Sequence, residues 1–110
     1  MIDPPPGLRT ARLGVADADE AISVWNECEL HDIGETVFTT ADWVVFAQIP
    51  SIDLERDAIG LRAGDELVAV GLVEDSRHAY VHVLPAWRGR GIGAWMLRWT
   101  QATGRAAGHT

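Results

Sequence analysis

Arg88, Gly89, Arg90, Gly91 and Gly93 place two guanidinium groups among three glycines at alternate positions. Glycine lets a main chain turn tightly and present bare N–H groups, and arginine makes charge-assisted hydrogen bonds to oxyanions. Ile92, Trp95, Met96, Trp99 and Ala102 recur at helical spacing just beyond, so the glycines stand where an amphipathic helix begins. A helix N-terminus carries unpaired amides and the positive end of the macrodipole. The chemistry predicted for residues 88–93 is therefore phosphate binding by main-chain amides, with arginine charge beside them.

Other elements must position that loop. Val81-His82-Val83 continues a strand that begins at His78 and ends at Leu84-Pro85. Ala58 to Ala63 and Leu67 to Val73 read as two further strands around the turn Gly64-Asp65-Glu66, so residues 58–84 form an antiparallel meander with a second turn at Glu74-Asp75-Ser76-Arg77. Upstream, Leu8 to Val15 alternates as a first strand. Ala16 to Glu20 opens a helix with core positions Ala21, Ile22, Trp25 and Cys28. Thr40-Ala41-Asp42 caps a second helix carrying Trp43, Val44, Phe46 and Ala47, which Pro50 ends. Residues 30–39 fit neither pattern, and Gly104 and Gly108 are helix-stop candidates. The order is β-α-α-β-β-β-α. It leaves an open sheet edge beside the last strand, and bare edges invite pairing, so association through that edge, as a homodimer or with another chain, is expected.

Composition sets limits. The chain has 110 residues, enough for one domain, and its 47% apolar content supports a core. No apolar run is long enough to span a bilayer, and the Pro-rich start has no apolar signal region. The expected location is the cytoplasm, without membrane association. A single cysteine, Cys28, cannot form an internal disulfide or a cysteine-based zinc site, and His31, His78 and His109 lack ligand spacing, so no metal is expected. All 16 acidic side chains lie in residues 1–75, whereas residues 76–110 hold five arginines and no acid. That asymmetry predicts a local anion site rather than general affinity for nucleic acid.

The pattern Arg88-x-x-Gly91-x-Gly93, after a strand ending Val83-x-Pro85 and before an amphipathic helix, resembles motif A of the GNAT superfamily of acyl-CoA N-acyltransferases. With the β-α-α-β-β-β lead-in, the resemblance covers roughly residues 8–108. It implies an α/β fold of the mixed-sheet GNAT type, lacking its C-terminal strands. The Pro-rich start reads as a flexible leader over residues 1–7, and the resemblance implies the N-terminal and central part of a single GNAT domain over 8–110. Such a front part also resembles the N-terminal domain of tandem members of the superfamily. The resemblance implies acetyl-CoA as co-substrate: Arg88, Gly89, Arg90, Gly91, Ile92 and Gly93 as the pyrophosphate cradle, and Val81, His82 and Val83 as main-chain partners of the pantetheine arm. A bulge in that strand is expected to make room for the thioester.

The implied reaction is acetyl transfer from acetyl-CoA to the amine of a small molecule, which needs a base for the amine and an acid for the departing sulfur. The family's acid is often a tyrosine beyond the next strand. Tyr80 lies before the loop and does not match that position. Candidate bases are Glu74, beside Asp75 at a strand end, Glu35 in the loop between the first two helices, and His82, whose ordinary pKa suits proton transfer. Against each stands a plainer role: a solvated turn acid, a solvated loop acid and a strand histidine with a structural hydrogen bond.

Rival readings fare worse. Gly89-x-Gly91-x-x-Ala94 also fits a dinucleotide fingerprint, but no acid follows Asp75 to hold a ribose. A Walker loop needs a lysine, and the chain has none. The serious alternative is a non-catalytic acyl-CoA-binding or structural half-domain.

Overall fold

The computed structural model describes residues 3–74 and 78–106; Asp75, Arg77, Gly108 and His109 lie outside these ranges. Four strands, β1 (Arg9–Ala11), β2 (Ala58–Ala63), β3 (Glu66–Val73) and β4 (Ala79–Val83), form one sheet in the order β1-β2-β3-β4, antiparallel throughout. The helices are α1 (Ala18–Ile33), α2 (Thr40–Gln48), the single turn α3 (Leu54–Asp57) and α4 (Ile92–Ala106).

The meander forms as its sequence predicts. Ala63 pairs with Glu66 across a two-residue loop, and Gly64 has φ +60° at the first loop position, which a type II′ turn reserves for glycine. Leu67 to Val73 are all buried, because β3 is an inner strand covered on both faces. The first strand is shorter than its alternation suggests. The Asp17 carboxylate accepts from the Gly14 amide at 2.8 Å, and the chain leaves the sheet for a 3-10 turn over Val15–Asp17. Ahead of β1, the Asp3 carbonyl accepts from the Trp95 indole at 2.7 Å.

The ambiguous stretch 30–39 divides at a glycine. α1 runs on to Ile33, and Gly34 at φ +78° donates to the carbonyls of Glu29 and Leu30, closing the helix in a left-handed cap. Val37 and Phe38 then donate their amides to the buried Glu29 carboxylate at 3.1 and 3.3 Å, which ties the loop back onto α1. α2 is capped by Thr39, not Thr40. The Thr39 hydroxyl accepts from Asp42 N, and the Asp42 carboxylate accepts from Thr39 N at 2.7 Å. Thr39→Ala removes half of this reciprocal box and is expected to cost about 1 kcal/mol, read as a lower urea midpoint with unchanged slope.

α1 and α2 cover the sheet face that carries Tyr80 and His82; α4 covers the other. Gly71, paired with Val81, faces α4 so closely that a Cβ would sit 3.1 Å from the Trp99 ring and 3.2 Å from Met96 Sδ. Ile92, Trp95, Met96 and Trp99 are buried, as their spacing predicts, whereas Ala102 is exposed and Thr103 is buried in its place. Gly104 lies inside α4 rather than beyond its end, a position a long helix tolerates at a cost of about 1 kcal/mol relative to alanine.

Candidate active site

The outer edge of β4 follows from its hydrogen-bond alternation. Glu74 N donates to His78 O at 2.8 Å and Leu84 N donates to Val68 O at 2.9 Å, so even-numbered residues bond inward to β3. In an antiparallel ladder the odd residues then turn their N–H and C=O groups the other way. Ala79, Val81 and Val83 therefore present main-chain groups at the open edge. The Val83 carbonyl accepts there from Cys28 Sγ at 3.2 Å and from Arg88 Nε at 3.0 Å.

A bulge was expected in this strand and is not found. The five pairs from Ala69–Val83 to Val73–Ala79 are in regular register, and the irregularity lies one strand further in, at Leu61/Arg62 of β2. There Leu61 faces Ala69 and Arg62 faces Leu67, which leaves Val68 as the extra residue on β3.

Beyond β4 the chain makes a 3-10 turn over Pro85–Trp87 and then the glycine loop. Gly89 at φ +80° and Gly91 at φ +84° are both left-handed, so two of the three glycines are required by the backbone itself. Trp95 N donates to Gly91 O at 3.1 Å, which makes Gly91 the residue that opens α4. The N–H groups of Ile92, Gly93 and Ala94 then have no acceptor within the helix.

Strand edge and loop meet at a cleft of ≈ 270 Å³ lined by Val81, Val83, Arg88, Gly89 and Gly93. Of the nine residues assigned to cofactor binding from the sequence, five line this cleft. The Ile92 side chain is buried in the core, which leaves its amide to serve the loop. Arg90 is exposed, its guanidinium 4.7 Å from the centre of the Trp87 ring.

His82 does not share the cleft. Its ring lies 4.3 Å from that of Trp25, on the α1 side of β4, within a cluster that includes Phe38, Phe46 and Tyr80. Burial among these rings lowers its pKa, with Arg88 adding to that effect and Glu29 and Asp32 opposing it. The imidazole is therefore held neutral. Glu74 accepts from the Tyr80 hydroxyl at 3.2 Å, and Glu35 is an exposed loop residue just past the Gly34 cap. The structure does not bring these three candidates together.

Arg88 is committed differently from its sequence reading. Its two terminal nitrogens bind both oxygens of Asp32, in the last turn of α1, at 2.7 and 3.0 Å. The Arg88 bond, with a smaller contribution from His31, holds the Asp32 carboxyl far below the usual carboxylate range. Burial raises the Cys28 thiol above its ordinary value, although Arg88 beside it pulls the other way, so this sulfur stays protonated and donates to Val83 O. Sequence spacing carried no signal for Asp32, because 56 residues separate it from Arg88.

No family model matches the sequence, and no curated protein matches it. Solved structures do. A GCN5-related N-acetyltransferase from Sphaerobacter thermophilus superposes with a TM-score of 0.79 at 21% identity, over 94% of this chain and 34% of that one. The chain has the GNAT fold. The GNAT-family acetyltransferase from Streptococcus pneumoniae matches with a TM-score of 0.71 at 12% identity, over 92% of this chain and 69% of its own. That from Brucella melitensis, solved in complex with acetyl-CoA, matches with a TM-score of 0.66 at 17% identity, over 93% and 71% respectively. The chain thus spans about a third of the Sphaerobacter protein's length. No helix among the described residues is long and apolar enough to cross a membrane.

Proposed function

We propose that this chain carries the acyl-CoA-binding part of a GNAT N-acetyltransferase that moves an acetyl group from acetyl-CoA to the amine of a small molecule. The observation that carries the reading is the meeting of two unsatisfied main-chain surfaces at one cleft. The outward N–H and C=O of Val81 suit the amides of a pantetheine arm, as an added strand would pair. The amides of Ile92, Gly93 and Ala94 suit a pyrophosphate. Gly89 and Gly93 line the cleft, and a Cβ built on either meets no atom from elsewhere in the chain within 4 Å, so their backbone is open to a ligand. The solved Brucella relative, which binds acetyl-CoA, supports the same assignment by analogy of fold.

In this reading the charge that meets phosphate is that of Arg90. Arg88 is already neutralised by Asp32 and serves the loop's shape. Bound acetyl-CoA supplies a thioester open to attack by an amine. The chain's own contribution is to hold the arm along β4, to anchor its phosphates at α4, and to exclude water with Val81 and Val83. Burial favours the neutral imidazole of His82, the form in which a histidine accepts a proton. It faces α1 rather than the cleft, so an amine would have to approach from the aromatic side of β4.

That same geometry favours one alternative, an acyl-CoA-binding half-domain without catalysis, because none of the three candidate bases lines the cleft. Calorimetric titration of acetyl-CoA into the chain, followed by detection of free thiol with a panel of small amines, separates the two. Micromolar binding with thiol release is expected. Binding without release supports the half-domain, and a folded chain that binds nothing overturns both.

A further inference from the structure

We propose that Asp32 is a positioning residue for the cofactor loop, acting through Arg88. The inference rests on the acyl-CoA reading above but concerns a residue outside the motif and outside the cleft. Three contacts converge on the turn between β4 and α4. Asp32 holds the guanidinium bidentately at 2.7 and 3.0 Å, Arg88 Nε donates to Val83 O at 3.0 Å, and the Cys28 thiol donates to the same carbonyl at 3.2 Å. Both Asp32 and Cys28 belong to α1, so the last two turns of that helix grip the end of β4 and the first residue of the loop together.

The grip matters because the loop has little else to hold it. Residues 88–91 are exposed, and Gly89 and Gly91, with φ values of +80° and +84°, are the residue type with the most conformational freedom to lose. A bidentate arginine–carboxylate pair fixes direction as well as distance. With Arg88 fixed, the amides that follow are ordered before any ligand arrives, and a preorganised site binds more tightly than one that must be ordered on binding. The pair also keeps Arg88 from turning to a phosphate, and leaves that task to Arg90, which stacks on Trp87 at the loop's outer side.

Asp32→Asn tests this with almost no change of shape at a half-exposed helix end. Backbone order parameters of the Gly89 to Gly93 amides, measured by NMR relaxation without ligand, should fall clearly, and the acetyl-CoA Kd should rise roughly tenfold. Asp32→Glu, which keeps the carboxylate, should recover part of both effects. Unchanged order parameters overturn the proposal. So does tighter binding by Asp32→Asn, which would mean that Asp32 withholds Arg88 from the ligand rather than ordering the loop. If the wild-type chain binds acetyl-CoA and Asp32→Asn binds it equally well, this proposal fails alone. If the wild-type chain does not bind, the cofactor reading fails and takes the role of Asp32 with it.

Discussion

Gly91→Val is expected to weaken acetyl-CoA binding by roughly tenfold to a hundredfold while the domain stays folded. Gly91 sits at φ +84°, in a region that L side chains rarely adopt and that β-branched residues avoid most strongly. No atom beyond its chain neighbours lies within 4 Å of the Cβ position, so the cost is conformational rather than steric. Holding a side chain in that conformation costs about 1–3 kcal/mol. The loop can avoid the cost by moving Gly91 out of the left-handed region. Gly91 O accepts the first hydrogen bond of α4, so such a move redirects the amides of Ile92, Gly93 and Ala94. On that route affinity falls, because binding has to restore the left-handed turn that the free loop has left; a loop that keeps the turn loses stability instead. The melting temperature should fall by only a few degrees, since the loop is exposed and α4 keeps its buried stripe. Gly93→Ala is the control. Gly93 is helical and open to solvent, so alanine there leaves stability intact and weakens binding only where phosphate comes close to that Cα. Isothermal titration with thermal melts on both variants decides. Undiminished affinity in Gly91→Val without loss of stability would remove the loop from the binding site.

The parts of this fold that were legible in the sequence are those set by local period and local turns. The α4 stripe, the Gly64 hairpin and the strands of the meander are written in residues a few positions apart, and each forms where its pattern places it. Where reading from the sequence failed, the cause was a partner it does not mark. Leu8 to Val15 alternates well enough for a strand, yet the Asp17 carboxylate captures Gly14 N and ends the sheet at Ala11. Thr40 and Thr39 are equally good caps on paper; the Asp42 carboxylate reaches back to Thr39. Arg88 stands in a motif that invites a phosphate role, but its charge is answered by Asp32 on a helix that only the tertiary fold brings near. His82 alternates with two valines that line the cleft, and the pleat sends it to the opposite face. The glycine loop was thus legible as main-chain geometry, whereas the partner of its Arg88 side chain was not. A glycine pattern reports backbone geometry directly, whereas a charge reports nothing about its partner.

Trp25→Ala is expected to be the most damaging single substitution in the α1–sheet interface, at about 3–5 kcal/mol. Trp25 is 1% exposed, and its ring lies 4.7 Å from Phe38, 5.1 Å from Tyr80, 6.3 Å from Phe46 and 4.3 Å from His82. One side chain therefore bridges α1, the α1–α2 loop, α2 and β4, and its loss opens a cavity that four separate elements would have to close. Against a total of about 5–15 kcal/mol for a domain, that loss leaves a marginal fold, with a melting temperature lower by about 15 °C or more. The histidine supplies a second, local readout. Burial is the main reason the His82 pKa lies below its ordinary value. The unfolded chain then takes up a proton more readily than the native one, so His82 subtracts stability as pH falls below that ordinary value. Removing Trp25 lets water reach the ring, and the His82 pKa should rise toward normal, which weakens this acid sensitivity even as overall stability falls. NMR titration of His82 in Trp25→Phe, which keeps an aromatic ring and a formed fold, should show a smaller shift in the same direction. A His82 that titrates identically in wild type and both variants would mean that something other than the Trp25 ring keeps water from the imidazole.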